Sequence, residues 1–109
     1  MGGLSAGAAN VSSANSGAGV AIECTSANAN RVQGNFLGTN DLGTVAVGSG
    51  TSAAGMLLWA YQGGSVRDNM VGGAVSTARN IISGNTFDGL RLGAYDPTSA
   101  GITVTNNFV

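Results

Sequence analysis

Shifted on itself by 70 residues, the chain lays Gly2 to Ile22 over Gly72 to Leu92 without a gap, and this internal repeat limits the fold more than any other feature. Seven of the 21 superposed positions are identical: Gly2/Gly72, Gly3/Gly73, Ala8/Ala78, Asn10/Asn80, Ser13/Ser83, Asn15/Asn85 and Gly19/Gly89. Val11/Ile81, Val20/Leu90 and Ile22/Leu92 keep their apolar type. At an offset of 72, Val32, Asn35 and Phe36 fall on Val104, Asn107 and Phe108.

Three short patterns interleave within this repeat at a period near 35 residues. The first is a glycine followed by an alternating triplet: Gly19-Val20-Ala21-Ile22, Gly55-Met56-Leu57-Leu58 and Gly89-Leu90-Arg91-Leu92. The second is Arg31-Val32-Gln33-Gly34-Asn35, Met70-Val71-Gly72-Gly73 and Thr103-Val104-Thr105-Asn106-Asn107. The third runs Asn10-Val11-Ser12-Ser13-Ala14-Asn15, Thr44-Val45-Ala46-Val47-Gly48 and Asn80-Ile81-Ile82-Ser83-Gly84-Asn85. Each is three to six residues long, the length of a short strand, and Gly, Asn, Asp and Ser between them supply turns. Alternation along a strand puts Val20, Ile22, Met56, Leu58, Leu90 and Leu92 on one face, inward, and Ala21, Leu57 and Arg91 on the other. The reading is an all-β chain: a parallel β-helix, or β-solenoid, of about three coils of three short strands, forming one domain over residues 1–109. Asn15, Asn35, Asn85 and Asn107 are read as corner residues, left-handed in backbone, their amides bonding backbone or the equivalent Asn one coil away.

Composition agrees and excludes several alternatives. Gly, Asn, Ser, Thr and Val, all weak or bad helix formers, make up 60 of the 109 residues. Four Arg, no Lys and a net charge of −1 leave no basic face for nucleic acid. The longest apolar run, Gly55 to Tyr61, is far short of the roughly 20 residues of a spanning helix, so no membrane insertion is expected. Mean hydropathy of +0.21 still provides enough apolar material for a lean core. Cys24 is single and His is absent, so neither an internal disulfide nor a Cys/His metal site is expected. Met1 to Ala6 lacks the basic start and apolar centre of a signal peptide.

The wording Asn30-Arg31-Val32-Gln33-Gly34-Asn35-Phe36-Leu37-Gly38-Thr39, then Asn69 to Gly73, Ala78 to Asn85 and Asp88 to Leu92, resembles the right-handed parallel β-helix repeats of large bacterial secreted and surface proteins in the pectin-lyase-like superfamily. The resemblance implies a right-handed coil and an extracellular or cell-surface setting as part of a longer protein. The segment Met56 to Gly64 departs from it, since a small polar loop is usual there.

The resemblance also suggests polysaccharide cleavage, and the residues for it are missing. Glycoside hydrolysis needs two carboxyl groups flanking one bond. Glu23, Asp41, Asp68, Asp88 and Asp96 are scattered, with no adjacent pair. No acidic cluster suits calcium, and no His activates a Ser or Cys nucleophile. The glycine pairs lack a P-loop Lys. Arg67 and Asp68 read as a surface pair. Trp59 and Tyr61 alternate and share a face, with Tyr95 at the end of the equivalent pattern one coil on; these three are the candidate carbohydrate-binding residues, by stacking on sugar rings. The alternative is that they cover a core edge or a contact between chains.

The expectation is therefore a structural or surface module with no enzymatic activity, no cofactor and no metal, acting through stacking and self-association. A carbohydrate-binding surface, or the remnant of a polysaccharide-processing enzyme, is the alternative. Open strand edges at both ends of a short stack favour association with another chain, as a dimer or as a filament.

Overall fold

The computed structural model describes residues 1–48, 54–94 and 101–109. Through them run strands β1 (Val11–Ser12), β2 (Val20–Ser26), β3 (Arg31–Val32), β4 (Phe36–Leu37), β5 (Met56–Ser65), β6 (Met70–Gly72), β7 (Ile81–Ile82), β8 (Leu90–Ala94) and β9 (Thr103–Thr105). A single 3-10 turn, Ser76–Ala78, is the only helical segment described. The chain is all-β, and its strands form three parallel sheets with the orders β1-β4-β7, β2-β5-β8 and β3-β6-β9. Each sheet takes every third strand, so consecutive strands visit the first, second and third sheet in turn.

The pairing register follows the sequence patterns. Val20, Met56 and Leu90 are aligned across the second sheet, as are Ala21, Leu57 and Arg91, then Ile22, Leu58 and Leu92. In the third sheet Val32, Val71 and Val104 are aligned. Met56, Leu58 and Ala60 on the middle strand are wholly buried, as are Leu37 and Val71 on the middle strands of the other sheets. Position in the stack decides burial as much as facing does. Leu92 is on the inward face but 45% exposed, and Val104 is 40% exposed, because β8 and β9 are edge strands with no further strand over them among the described residues. Leu92 is thus not the buried residue its pattern predicts.

Thr44 to Gly48 is not a strand of the first sheet. The residues aligned with Val11 and Ile81 are those of β4, with Phe36 opposite both. The segment after β4 instead folds back on itself: Val47 N–H donates to Gly38 O (2.8 Å), and Asn40 N–H donates to Val45 O (2.9 Å). Asn40 Oδ1 holds the bend by accepting from the N–H groups of Thr44 (2.9 Å) and Val45 (3.1 Å).

The corner between the third and first sheets explains why the repeat is clearest at 70 residues. Residues 3–9 and 73–79 make long corners before Asn10 and Asn80, whereas Gly34 and Asn106 alone precede Asn35 and Asn107. Long and short corners alternate, so like falls on like only at every second passage. The four asparagines stack into a ladder. Asn10 donates its backbone N–H and Nδ2 to Asn35 Oδ1 (3.1 and 3.0 Å). Asn35 does the same to Asn80 Oδ1 (3.0 Å each), and Asn80 to Asn107 Oδ1 (3.1 and 2.9 Å). Asn80 Nδ2 also donates to Val32 O (2.8 Å), so both donors and both acceptor sites of its amide are used. Asn35 is 1% and Asn80 0% exposed, a burial that only this degree of pairing sustains.

A shorter ladder joins Asn30 to Asn69 Oδ1 through both N–H (2.9 Å) and Nδ2 (3.0 Å). Asn15 and Asn85, also read as corner asparagines, take no part in these two ladders among the described residues. Asn15 Nδ2 donates to Ser12 Oγ (3.0 Å), and Asn85 Nδ2 to Leu37 O (3.1 Å). The left-handed residue at these corners is the one before the asparagine: Ala14 (φ 58°), Ala29 (φ 58°), Gly34 (φ 67°), Asp68 (φ 54°), Gly84 (φ 73°) and Asn106 (φ 56°). That residue turns the chain and leaves the following side chain pointing along the stack.

Candidate functional site

The outward face of the second sheet carries the candidate residues. β5 presents Leu57, Trp59 and Tyr61 there, flanked by Glu23 on β2 and Arg91 on β8. Strand alternation brings Trp59 and Tyr61 together as expected, with ring centroids 6.4 Å apart and planes tilted by 51°. Trp59 is aligned with Gly93 on β8. A Cβ at Gly93 would stand 2.0 Å from Trp59 Cζ3, so the indole lies over this glycine in space no other residue leaves open.

Charged groups frame the aromatic pair. Tyr61 donates its hydroxyl to Glu23 Oε1 (3.3 Å). The Arg91 guanidinium sits 5.3 Å from the Trp59 ring centroid, a cation–π contact, and 3.8 Å from Asp88. With both partners about half exposed, that ion pair contributes little to stability. Among the described residues the ion pair joins Arg91 to Asp88, not the sequence neighbours Arg67 and Asp68. Leu57, Trp59, Tyr61 and Arg91 line a shallow depression of about 230 Å³. Tyr95 and Asp96 lie outside the described residues.

A second concavity, about 420 Å³, opens between the long corners at 3–9 and 73–79, over Phe36 and Ile81. Its one cation is already engaged: Arg79 lies 4.3 Å over the Phe108 ring and donates to Asn106 Oδ1 (2.7 Å). Sequence reasoning missed this groove, because the alternation of long and short corners that makes it was not resolved.

Cys24 is exposed on β2. Its thiol titrates below the usual range because the backbone N–H of Ser26, then that of Thr25 and the Thr25 hydroxyl, stabilise the thiolate. No three of His, Cys, Asp and Glu come together among the described residues. Glu23 and Asp88 are each turned to a partner of their own, Tyr61 and Arg91.

The fold class is thus an all-β chain of three parallel sheets carrying an aromatic patch framed by charges. No protein family, curated protein or solved structure matches this chain.

Proposed function

We propose that the chain is a structural module: a right-handed parallel β-helix of about three coils that has no catalytic activity and works by stacking and self-association. The observation that carries this reading is the assembly of every sheet from each third strand, in parallel, with β1, β2 and β3 as the terminal strands on one side and β7, β8 and β9 on the other. Right-handed winding is supported by the strong bias of parallel crossover connections to that hand. Its setting, by resemblance, is the outside of a cell as part of a longer protein. Light scattering coupled to size exclusion over a dilution series tests the association. A concentration-dependent mass above 10.6 kDa is expected, and a constant 10.6 kDa at all concentrations refutes it.

A second reading, a carbohydrate-binding face, is favoured by one observation: Trp59 lies on Gly93 beside Tyr61, an aromatic surface between hydroxyl-bonding groups. Titration with soluble oligosaccharides should quench or shift Trp59 fluorescence, and Trp59→Ala should abolish binding with the fold intact. Binding that survives Trp59→Ala removes the site from this face.

A further inference from the structure

The asparagine ladder has a direction. At each of its three steps, the backbone N–H and Nδ2 of one asparagine donate to Oδ1 of the next, from Asn10 through Asn35 and Asn80 to Asn107. The Asn107 end of the stack therefore presents one donor, the Asn107 N–H, which has no partner among the described residues; its Nδ2 already donates to Val71 O (2.9 Å) and Thr105 O (3.2 Å). The Asn10 end presents an acceptor, Oδ1, to which no described group donates. The sheet edges at the two ends each offer one donor and one acceptor, and so fix the register of a parallel junction rather than its direction. Phe36 N–H donates to Asn10 O and Gly38 N–H to Ser12 O, so the parallel register turns the Val11 N–H and C=O away from β4. At the other end, Phe108 exchanges bonds with β7 through Phe108 N–H to Asn80 O and Ile82 N–H to Phe108 O. That turns the Asn107 C=O and the Val109 N–H away from the stack.

We infer that the chain docks head to tail on a second copy of itself, the Asn107 corner of one copy donating to Asn10 Oδ1 of the next. This rests on the self-association reading and decides the geometry that reading leaves open. At the ladder itself, a two-fold contact would set the Asn107 N–H against its own copy or Asn10 Oδ1 against its own copy, whereas a head-to-tail contact pairs the one with the other. Continuing the register places Val11 of the second copy opposite Phe108. Its Val11 N–H then donates to Asn107 O, and Val109 N–H donates to its Val11 O. Gly2, which pairs with Gln33 in its own chain, takes the place next to Thr105. The short corner at Asn106 is then followed by the long corner at 3–9, so the alternation of corners continues across the junction. Counting strands leaves β8 and the second copy's β2 two spacings apart, about 9.6 Å, with one strand's width between them. Two of the three sheets join directly, which makes the contact concentration-dependent. Heterologous contacts of this kind propagate, so the product is an open filament or a ring.

The test uses two end-blocked variants. Val11→Pro removes the N–H that would donate across the junction, and Val109→Pro removes the N–H at the other end; neither donor serves within the described chain. Far-ultraviolet circular dichroism verifies that each variant keeps the wild-type strand content. Val11→Arg and Val109→Arg, at side chains 49% and 70% exposed, replace the prolines should either disturb it. Each variant alone should run as a 10.6 kDa monomer at concentrations where the wild type associates. Mixing the two should restore a heterodimer of about twice that mass, because one open end of each kind remains. If one variant still dimerises alone and mixing adds nothing, the contact is two-fold and the inference is overturned. Association that survives in both variants also overturns it, locating self-association on another surface. A wild-type chain that stays at 10.6 kDa at every concentration overturns the underlying reading instead.

Discussion

Asn80 is the most demanding residue of the fold, and its replacement by alanine is the sharpest test of the ladder. The change removes the acceptor of the Asn35 N–H and Nδ2, both at 3.0 Å, and the donor to Val32 O and Asn107 Oδ1. Asn107 Oδ1 keeps the backbone N–H of residue 80. The groups left without a partner are therefore the Asn35 N–H and one Nδ2 hydrogen, in a residue that is 1% exposed. At about 1–3 kcal/mol for each of the two orphaned buried donors, the cost is about 2–6 kcal/mol. That is a large part of the roughly 5–15 kcal/mol of an ordinary domain. Urea unfolding followed by circular dichroism, at one fixed protein concentration, measures it. Asn28→Ala is the control: Asn28 is exposed, bonds Arg67 N–H and Ser26 Oγ, and should cost under about 1 kcal/mol. Asn80→Asp adds a sign. Its carboxylate would face Val32 O and Asn107 Oδ1 where the amide donated, so the folded state favours the protonated acid and raises its pKa above the unfolded value near 3.9. The native state then binds more protons than the unfolded one, and stability falls as pH rises through and above 4. Costs of Asn80→Ala and Asn28→Ala that are equal would refute the ladder as a buried network.

Other expectations follow from single residues. Leu58→Ala should cost about 2–5 kcal/mol by chemical denaturation, and Leu92→Ala clearly less, because the first is fully buried and the second 45% exposed. Ala29→Gly should stabilise by about 0.5–1 kcal/mol in the same assay, since Ala29 holds φ 58° without the freedom of glycine; a loss would contradict the corner geometry. Gly93→Ala should displace the indole and red-shift Trp59 fluorescence, as the new Cβ would stand 2.0 Å from Trp59 Cζ3. Alkylation of Cys24 by iodoacetamide should show a pH midpoint below that of a free thiol, because backbone N–H groups favour the thiolate; a midpoint at or above it would count against those bonds.

The strand pattern was legible where side chains alternate on a middle strand. Val20, Met56 and Leu90 share a register that their glycine-plus-triplet wording announces. Burial was less legible, since Leu92 reads like Leu58 and differs only in having no strand beyond it. Thr44 to Gly48 has the composition of a strand but follows one, because the corner before β4 is a single glycine where the equivalent corner before β7 spans 73–79. Corner length is set by one left-handed residue, a signal too local for periodicity to carry. The ladder was half visible: Asn35 and Asn107 were marked, while Asn10 and Asn80 appeared only as identities in the 70-residue match. In the candidate site, the alternation of Trp59 and Tyr61 could be read directly, but the role of Gly93 beneath the indole required the pairing of β5 with β8.

The parallel register of the second sheet is the centre of the account, and disulfide trapping measures it most directly. In a Cys24→Ser background, Ala21→Cys with Leu57→Cys places two thiols on aligned Cα positions, about 4.8 Å apart in adjacent strands and within the range a disulfide spans. Ala21→Cys with Arg91→Cys places them two strands apart, about 9.6 Å, beyond that range. Mild oxidation, read by mass spectrometry of the monomer, should close the first pair and leave the second open. Closure of the second pair with the first left reduced would contradict the order β2-β5-β8 and the stacked fold built on it.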